Sequence, residues 1–240
     1  MSVRLYVDAA LQRDAELDLP AAAARHVQVR RLQPSDPLRL FNGQGGEWAA
    51  TVLHMGRSQV RVRIQTFDPV ERELGLRITV ALGMPANERM DLLVEKATEL
   101  GVHSIRPLLC ERSVLRLAGD RAERKRVHWQ AIAAAAAEQC GRTRVPEVAA
   151  VQALDAFLAQ LPEQGVRILL SPGESAATLH EVAAGANILL TLSGPEGGLS
   201  PAEENAALAR GFTRARLGER VLRSETAPLA VLAWAGLKEP

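Results

Sequence analysis

The sequence predicts a mixed α/β fold: a small β-barrel, followed by a mostly parallel sheet covered by helices on both faces. Two textures along the chain lead there. Over the first seventy or so residues, short strand-like runs alternate with turn residues, and "SQVRVRIQTF" sets Val60, Val62 and Ile64 against Gln and Arg with the period of a half-buried strand. After residue 75, β-branched apolar runs alternate with helical segments. That order builds a parallel sheet whose ligands sit at the carboxyl ends of the strands.

In chain order, "VRLYV" is a first strand and "PAAAARHVQVRRL" a short helix. "DPLRLFNGQGGEWAATVLHM" reads as a hairpin turning at Asn42, Gly43, Gly45 and Gly46. The polar stretch "DPVERELG" from Asp68 to Gly75 is the expected linker, dividing a domain over 1–70 from one over 71–240. "LRITVALGM" is then a strand. "NERMDLLVEKATELG" is a helix with Met90, Leu93, Ala97 and Leu100 on one face, closed by Gly101. "HSIRPLLC" is a strand and "RAERKRVHWQAIAAAAAEQCG" a long helix stopped by glycine. "VRILLSP", "NILLTLSG" and "TRARLG" are further strands. The final "APLAVLAWAGL" is apolar nearly all round, so it must be buried in the core or against a second subunit.

With 240 residues, 47% apolar and 24% charged, the chain can bury a substantial core. Its longest apolar stretches fall short of the roughly 20 residues needed to span a bilayer, and Arg4 and Asp8 stand where a signal peptide is hydrophobic. A cytoplasmic protein without membrane partners is expected. Cys110 and Cys140 lack companions at metal-ligand spacing, so neither a metal site nor a disulfide framework is encoded. The net charge of +1 decides nothing about nucleic acid, but the basic excess between Arg106 and Arg126, extended by Arg142 and Arg144, suits phosphate contacts as well as a solvated helix face. With three Trp, four Phe and one Tyr, a broad base-stacking platform is not available.

"NILLTLSGPEGGLSPAEE" reads as strand, tight loop and helix. Ser200 is an N-cap, Pro201 the first helical residue and Glu203 the partner in a capping box. The glycine loop therefore opens at a helix N-terminus, where nucleotide cofactors are held. It is no phosphate loop: it lacks G-x-x-x-x-G-K-[ST], and Glu196 puts a negative charge where a phosphate would sit. A structural turn remains open on this motif alone. "LGERVLRSETAPLAVLAW" repeats the design before the last helix, and two such loops in one sheet make one pocket.

Those two segments together closely resemble the paired cofactor-loop motifs of the SPOUT methyltransferases, in particular the 16S ribosomal RNA uridine N3-methyltransferases of the RsmE family. The resemblance extends over nearly the whole chain. "RHVQVRRLQPSDPLRLFNGQGGEWAATV" is similar to that family's PUA-like barrel, "VEKATELGVHSIRPLLCERSV" to the start of its catalytic domain, and "AAAEQCGRTRVPEV" to its EQ-x-x-R-x-x-x-P segment. Asn87, where lysine is common, and Ser171 before Pro172, where an acidic residue is usual, depart from the pattern.

The resemblance implies a deep trefoil knot in the second domain, a homodimer, S-adenosylmethionine as cofactor, and N3 methylation of a uridine in 16S ribosomal RNA of the small ribosomal subunit, uridine 1498 in the standard rRNA numbering. It implies that the cofactor is wrapped by Leu170, Ser171 and Pro172, by Leu192, Ser193, Gly194, Pro195, Glu196, Gly197 and Gly198, and by Leu217, Gly218, Val221, Leu222, Thr226 and Ala227. Arg223 is the candidate for stabilising negative charge on a uracil oxygen, and Glu225 a candidate proton acceptor or orienter of Arg223; both are also consistent with an ion pair capping the last helix. The RNA contacts implied are Arg112, Gln139, Arg142 and Arg144 near the active site and His26, Arg30 and Arg31 on the barrel. Because N3 lies on the Watson–Crick edge, the target base must be unpaired or flipped. Two readings compete: a SPOUT enzyme acting on a different nucleotide, and a non-catalytic RNA-binding or assembly protein.

Overall fold

The structure is a computed structural model that describes residues 3–57, 59–86, 88–171 and 176–238. Contacts divide the chain into two compact units, Met1–Glu73 with Ala134–Val145, and Leu74–Ala133 with Pro146–Pro240.

The first unit contains β1 (Val3–Tyr6), β2 (Glu16–Asp18), α1 (Ala21–Val29), β3 (Pro37–Phe41), β4 (Glu47–Met55) and β5 (Val60–Asp68). They form one sheet in the order β1-β3-β4-β5-β2. β1 pairs with β3 in parallel and the other neighbours are antiparallel. β5 alternates inward Val60, Val62 and Ile64 with outward side chains because only one face of this sheet meets the core. Leu5, Leu38, Leu40 and Val52 join those residues, and Ala23, Ala24 and Val27 of α1 pack on the same cluster.

Residues 134–145 were expected in the second domain, yet they pack in the first unit, for reasons that are polar. The Arg4 guanidinium donates to the carbonyls of Ala137 (3.0 Å), Glu138 (3.2 Å) and Arg142 (2.5 Å), and its Nε to Glu47 (2.8 Å). The acidic residues of the stretch read as a linker complete the attachment: Glu73 pairs with Arg142, and Glu71 with Arg144 at 2.7 Å and Thr143 at 2.9 Å.

The second unit begins with β6 (Arg77–Gly83), α2 (Glu88–Glu99) and β7 (Ser104–Leu109). α3 (Gly119–Cys140) follows and contains the boundary between the units; then come β8 (Glu147–Val148), β9 (Gln152–Ala153), α4 (Leu154–Ala159), β10 (Val166–Leu170), β11 (Ala177–Thr178) and α5 (Leu179–Val182). β12 (Ile188–Ser193), α6 (Pro201–Ala209), β13 (Thr213–Arg216) and α7 (Thr226–Gly236) complete it. The sheet runs β11-β13-β10-β12-β6-β7-β8, with β9 beside β7, and every recorded pairing is parallel. Helices cover both faces, so the central strands are buried almost continuously: five of the six residues of β12 are, in contrast to the alternation in β5. Two hydroxyls buried in this sheet find partners, Ser104 with Thr79 at 3.0 Å and Thr191 with the Thr79 carbonyl at 3.5 Å. α2 buries Met90, Leu93, Val94 and Ala97 and ends as the sequence predicts, with Gly101 at φ +86°.

Candidate cofactor and RNA site

The carboxyl ends of β10, β12, β6 and β13 lie side by side in the sheet, and loops leave each of them. The loop over 194–198 is held on three sides. The Gly198 N–H donates to the Pro195 carbonyl at 2.8 Å, with Gly198 at φ +70°. A Cβ on Gly194 would lie 2.5 Å from the Leu199 nitrogen, so only glycine lets the chain double back there. Ser200 then caps α6: its hydroxyl accepts from the Glu203 N–H (3.3 Å), the Glu203 carboxylate accepts from the Ser200 N–H (2.8 Å), and Pro201 is the first helical residue. The second Glu203 oxygen accepts from the Glu111 N–H at 2.8 Å.

Two residues not singled out from the sequence fix this loop. A Cβ on Gly83, at the end of β6, would meet the Pro195 ring at 2.3 Å. Arg89 on α2 faces both loops, 3.4 Å from Glu196 and 4.0 Å from Glu225. Glu196 also accepts from the Ala86 N–H at 2.9 Å, so its carboxylate braces the loop. Nothing in the local sequence marks Gly83 or Arg89, because both partners are more than a hundred residues away.

The second loop forms a cleft. Leu170, Ser171, Ala215, Leu217, Gly218, Arg220, Val221, Leu222 and Ala227 line it, uniting the ends of β10 and β13 with the start of α7. Pro172 lies outside the described residues, as does Asn87. The lining does not include 192–198 or Thr226, so the two loops are joined through Arg89 rather than by one shared wall. Arg214 and Ser171 both reach Glu204, at 2.8 and 3.3 Å, tying β13 and β10 to α6.

Three features fit a bound nucleoside-type cofactor. The Ser193 hydroxyl, at the last position of β12, is buried and has no partner among the described residues, an orphan that a ligand atom can satisfy. Among the described residues, the backbone groups of 218–222 make no hydrogen bond within the chain. Gly218 holds φ +105° with open space where a Cβ would project. Apolar Leu170, Ala215, Leu222 and Ala227 around exposed backbone donors and acceptors suit a neutral purine better than a phosphate.

Arg223 is exposed, and its side chain has no hydrogen-bond partner among the described residues, while its carbonyl accepts from the N–H groups of Thr226 and Ala227 at the start of α7. Glu225 is buried (6% exposed), receives the Ser224 hydroxyl at 3.1 Å, and faces Arg89. Among the described residues no hydrogen bond or ion pair links Glu225 to the Arg223 side chain, so the two do not cap α7 as a pair.

The expected RNA contacts divide. Arg112, in the second unit, donates from Nη1 to the Gly197 (3.1 Å) and Leu199 (3.3 Å) carbonyls. In the first unit Arg142 is a correction: its side chain is 5% exposed and held by Glu73, and a buried, paired guanidinium is structural. Arg144 is half-exposed but bound to Glu71, whose carboxyl lies below its usual range; burial opposes this and hydrogen bonds from Arg144 and Thr143 outweigh it. Arg31 is at φ +57° in the exposed turn after α1. His26, Arg30 and Gln139 share one cavity. Burial, then the Glu203 carboxylate, push the Cys110 thiol up to about 12. Among the described residues no cluster of metal-ligating side chains occurs and no helix is long and apolar enough to cross a membrane.

A parallel sheet with a cofactor-type cleft at its carboxyl edge defines the class of open α/β cofactor-binding proteins. Comparison with known proteins narrows it: residues 72–236 match the RNA methyltransferase domain family and residues 19–65 the RNA methyltransferase PUA domain. The chain is 33% identical over 239 residues to the ribosomal RNA small subunit methyltransferase E of Synechocystis sp., covering 97% of this chain and 77% of that one. It is 29% identical to the protein of that name from Bacillus subtilis, over 86% of this chain and 84% of the relative. Among solved structures, a ribosomal RNA small subunit methyltransferase E from Neisseria gonorrhoeae bound to S-adenosyl methionine superposes with a TM-score of 0.91 at 33% identity, over 98% and 96% of the two chains. A putative methyltransferase from Legionella pneumophila with bound cofactor SAM gives 0.92 at 33% identity, over 99% and 98%. This chain belongs to the ribosomal RNA small subunit methyltransferase E family.

Proposed function

We propose that this protein transfers a methyl group from S-adenosylmethionine to N3 of a uridine in 16S ribosomal RNA, acting in the cytoplasm on the small subunit as a homodimer whose second domain is knotted. The observation that carries the cofactor assignment is the cleft at the ends of β10 and β13, with backbone groups and, close by in the sheet, a Ser193 hydroxyl that have no partner among the described residues. S-adenosylmethionine supplies an electrophilic methyl on a sulfonium; as the N3–carbon bond forms, the sulfur–carbon bond breaks and a neutral thioether leaves.

The chain's own residues must hold uracil in line and favour its N3 anion. The uncommitted guanidinium of Arg223, on the loop that forms the cleft, is suited to the negative charge that spreads to the flanking carbonyl oxygens. Glu225 is turned toward Arg89 and Ser224, so it sets the loop rather than removing the proton, which passes to solvent. Support for the dimer comes from α7, whose Pro228, Val231, Leu232 and Ala235 are buried while Leu229, Ala233 and Trp234 on the rest of its surface are only half-covered.

The test is Arg223→Ala with labelled cofactor and small subunits lacking the modification. Transfer should fall by about a hundredfold or more, as for loss of an oxyanion-stabilising donor, with cofactor affinity unchanged. Full activity in that variant would remove Arg223 from the reaction.

A further inference from the structure

Glu225 is a buried carboxylate with few partners. Its side chain is 8% exposed, one oxygen accepts the Ser224 hydroxyl at 3.1 Å, and the cation beside the other, among the described residues, is Arg89 at 4.0 Å. A carboxylate taken out of water needs a compensating charge, so Glu225 depends on Arg89 more than a surface carboxylate would. Arg89 itself stands in the first turn of α2, where the helix dipole disfavours a cation. Two carboxylates offset that placement: Glu196 of the glycine loop, 3.4 Å from Nη1, and Glu225 of the Arg223 loop, 4.0 Å from Nε. They do not depend on it equally. Without the guanidinium, Glu196 keeps the Ala86 N–H at 2.9 Å, whereas Glu225 keeps, among the described residues, only the Ser224 hydroxyl. Glu225 also lies inside the turn that presents Arg223, because the Arg223 carbonyl accepts from the N–H groups of Thr226 (2.9 Å) and Ala227 (3.2 Å) on the far side of it.

We propose that Arg89 is a positioning residue for methyl transfer: anchored on Glu196, it fixes the Glu225 carboxylate and with it the turn from which Arg223 meets the uracil. This rests on the methyltransferase reading and adds to it a residue that acts through another. A displacement of about 1 Å at the reacting groups is enough to cost about a hundredfold in rate. Charge alone does not suffice, since the guanidinium presents donors in two directions, Nη1 toward Glu196 and Nε toward Glu225, where an ammonium is a single point.

The test compares full-length Arg89→Gln and Arg89→Lys with the unaltered protein on small subunits lacking the modification. In Arg89→Gln, kcat should fall about ten- to a hundredfold while the KM for S-adenosylmethionine stays within about twofold. Arg89→Lys should recover part of the rate. Arg223→Ala should cost the Arg89→Gln protein far less than it costs the unaltered one, because the first change has already misplaced the group that the second removes. A merely structural Arg89 would lower the denaturation midpoint and leave the two losses multiplicative. Undiminished kcat in Arg89→Gln, or losses that multiply, would overturn the proposal and leave the enzyme assignment intact. Absence of transfer by the unaltered protein would count against the enzyme assignment instead, and trypsin then decides the role of Arg89. Arg220 and Arg223 are exposed in this loop, so cleavage after them in the cofactor-free protein should be several-fold faster in Arg89→Gln. An unchanged cleavage rate would overturn the proposal by itself.

Discussion

Ser193 closes β12 with a buried hydroxyl that has no partner among the described residues, and a buried hydroxyl without a partner costs about 1–3 kcal/mol. Ser193→Ala should therefore leave the cofactor-free protein at least as stable in urea unfolding, while cofactor affinity by calorimetry falls several-fold. A loss of stability with unchanged affinity would mean that the hydroxyl serves the fold. Arg142→Ala should behave in the opposite way, losing on the order of 3 kcal/mol of stability, because it strands Glu73 in a largely buried pair. RNA affinity should follow stability only. Both cases mark what a sequence shows at this scale. The glycines of "GPEGG" and the capping box were legible because their causes are local: a turn, a helix start, a backbone that must pass close to itself. Whether an arginine is turned to solvent or inward, and whether a serine finds a partner, depends on chain segments far away.

Among the elements, strands and helices were legible through their periods. The alternation in β5 and the continuous burial of β12 from Leu189 to Ser193 follow from one covered sheet face in the first unit and two in the second. The tail of α3 was not legible in this way. Its alanine-rich sequence fixes a helix but says nothing of the unit it joins, which is decided by Arg4, Glu71 and Glu73. That attachment is acid-sensitive. The folded-state pKa of Glu71 is depressed, so its contribution is present above the ordinary carboxylate range and is lost as pH falls through the lowered value. Acid titration of unfolding should accordingly show a loss that Glu71→Gln reduces; an unchanged profile would separate Glu71 from the attachment. Ser200→Ala should cost about 1 kcal/mol by removing the cap of α6, measurable as a lowered denaturation midpoint.

For the whole molecule, the apolar character of α7 on every side was plain in the sequence, and the fold covers only part of it. In the proposed homodimer a second copy of the chain would cover the rest. Trp234→Glu should give a monomer in sedimentation, and a dimer that persists would move the interface elsewhere. The same helix opens at the loop bearing Arg223, so dimer formation and the active cleft are expected to weaken together. The two loops were legible in the sequence, but not that the cleft is lined from the second of them without 192–198, nor that Arg89 lies between the two. The central claim is tested most directly by incubating unmodified small subunits with this protein and labelled S-adenosylmethionine and locating the label by mass spectrometry of the 16S RNA. The account predicts a single N3-methyluridine. Methyl on another atom or nucleotide, or cofactor binding with no transfer, would contradict it.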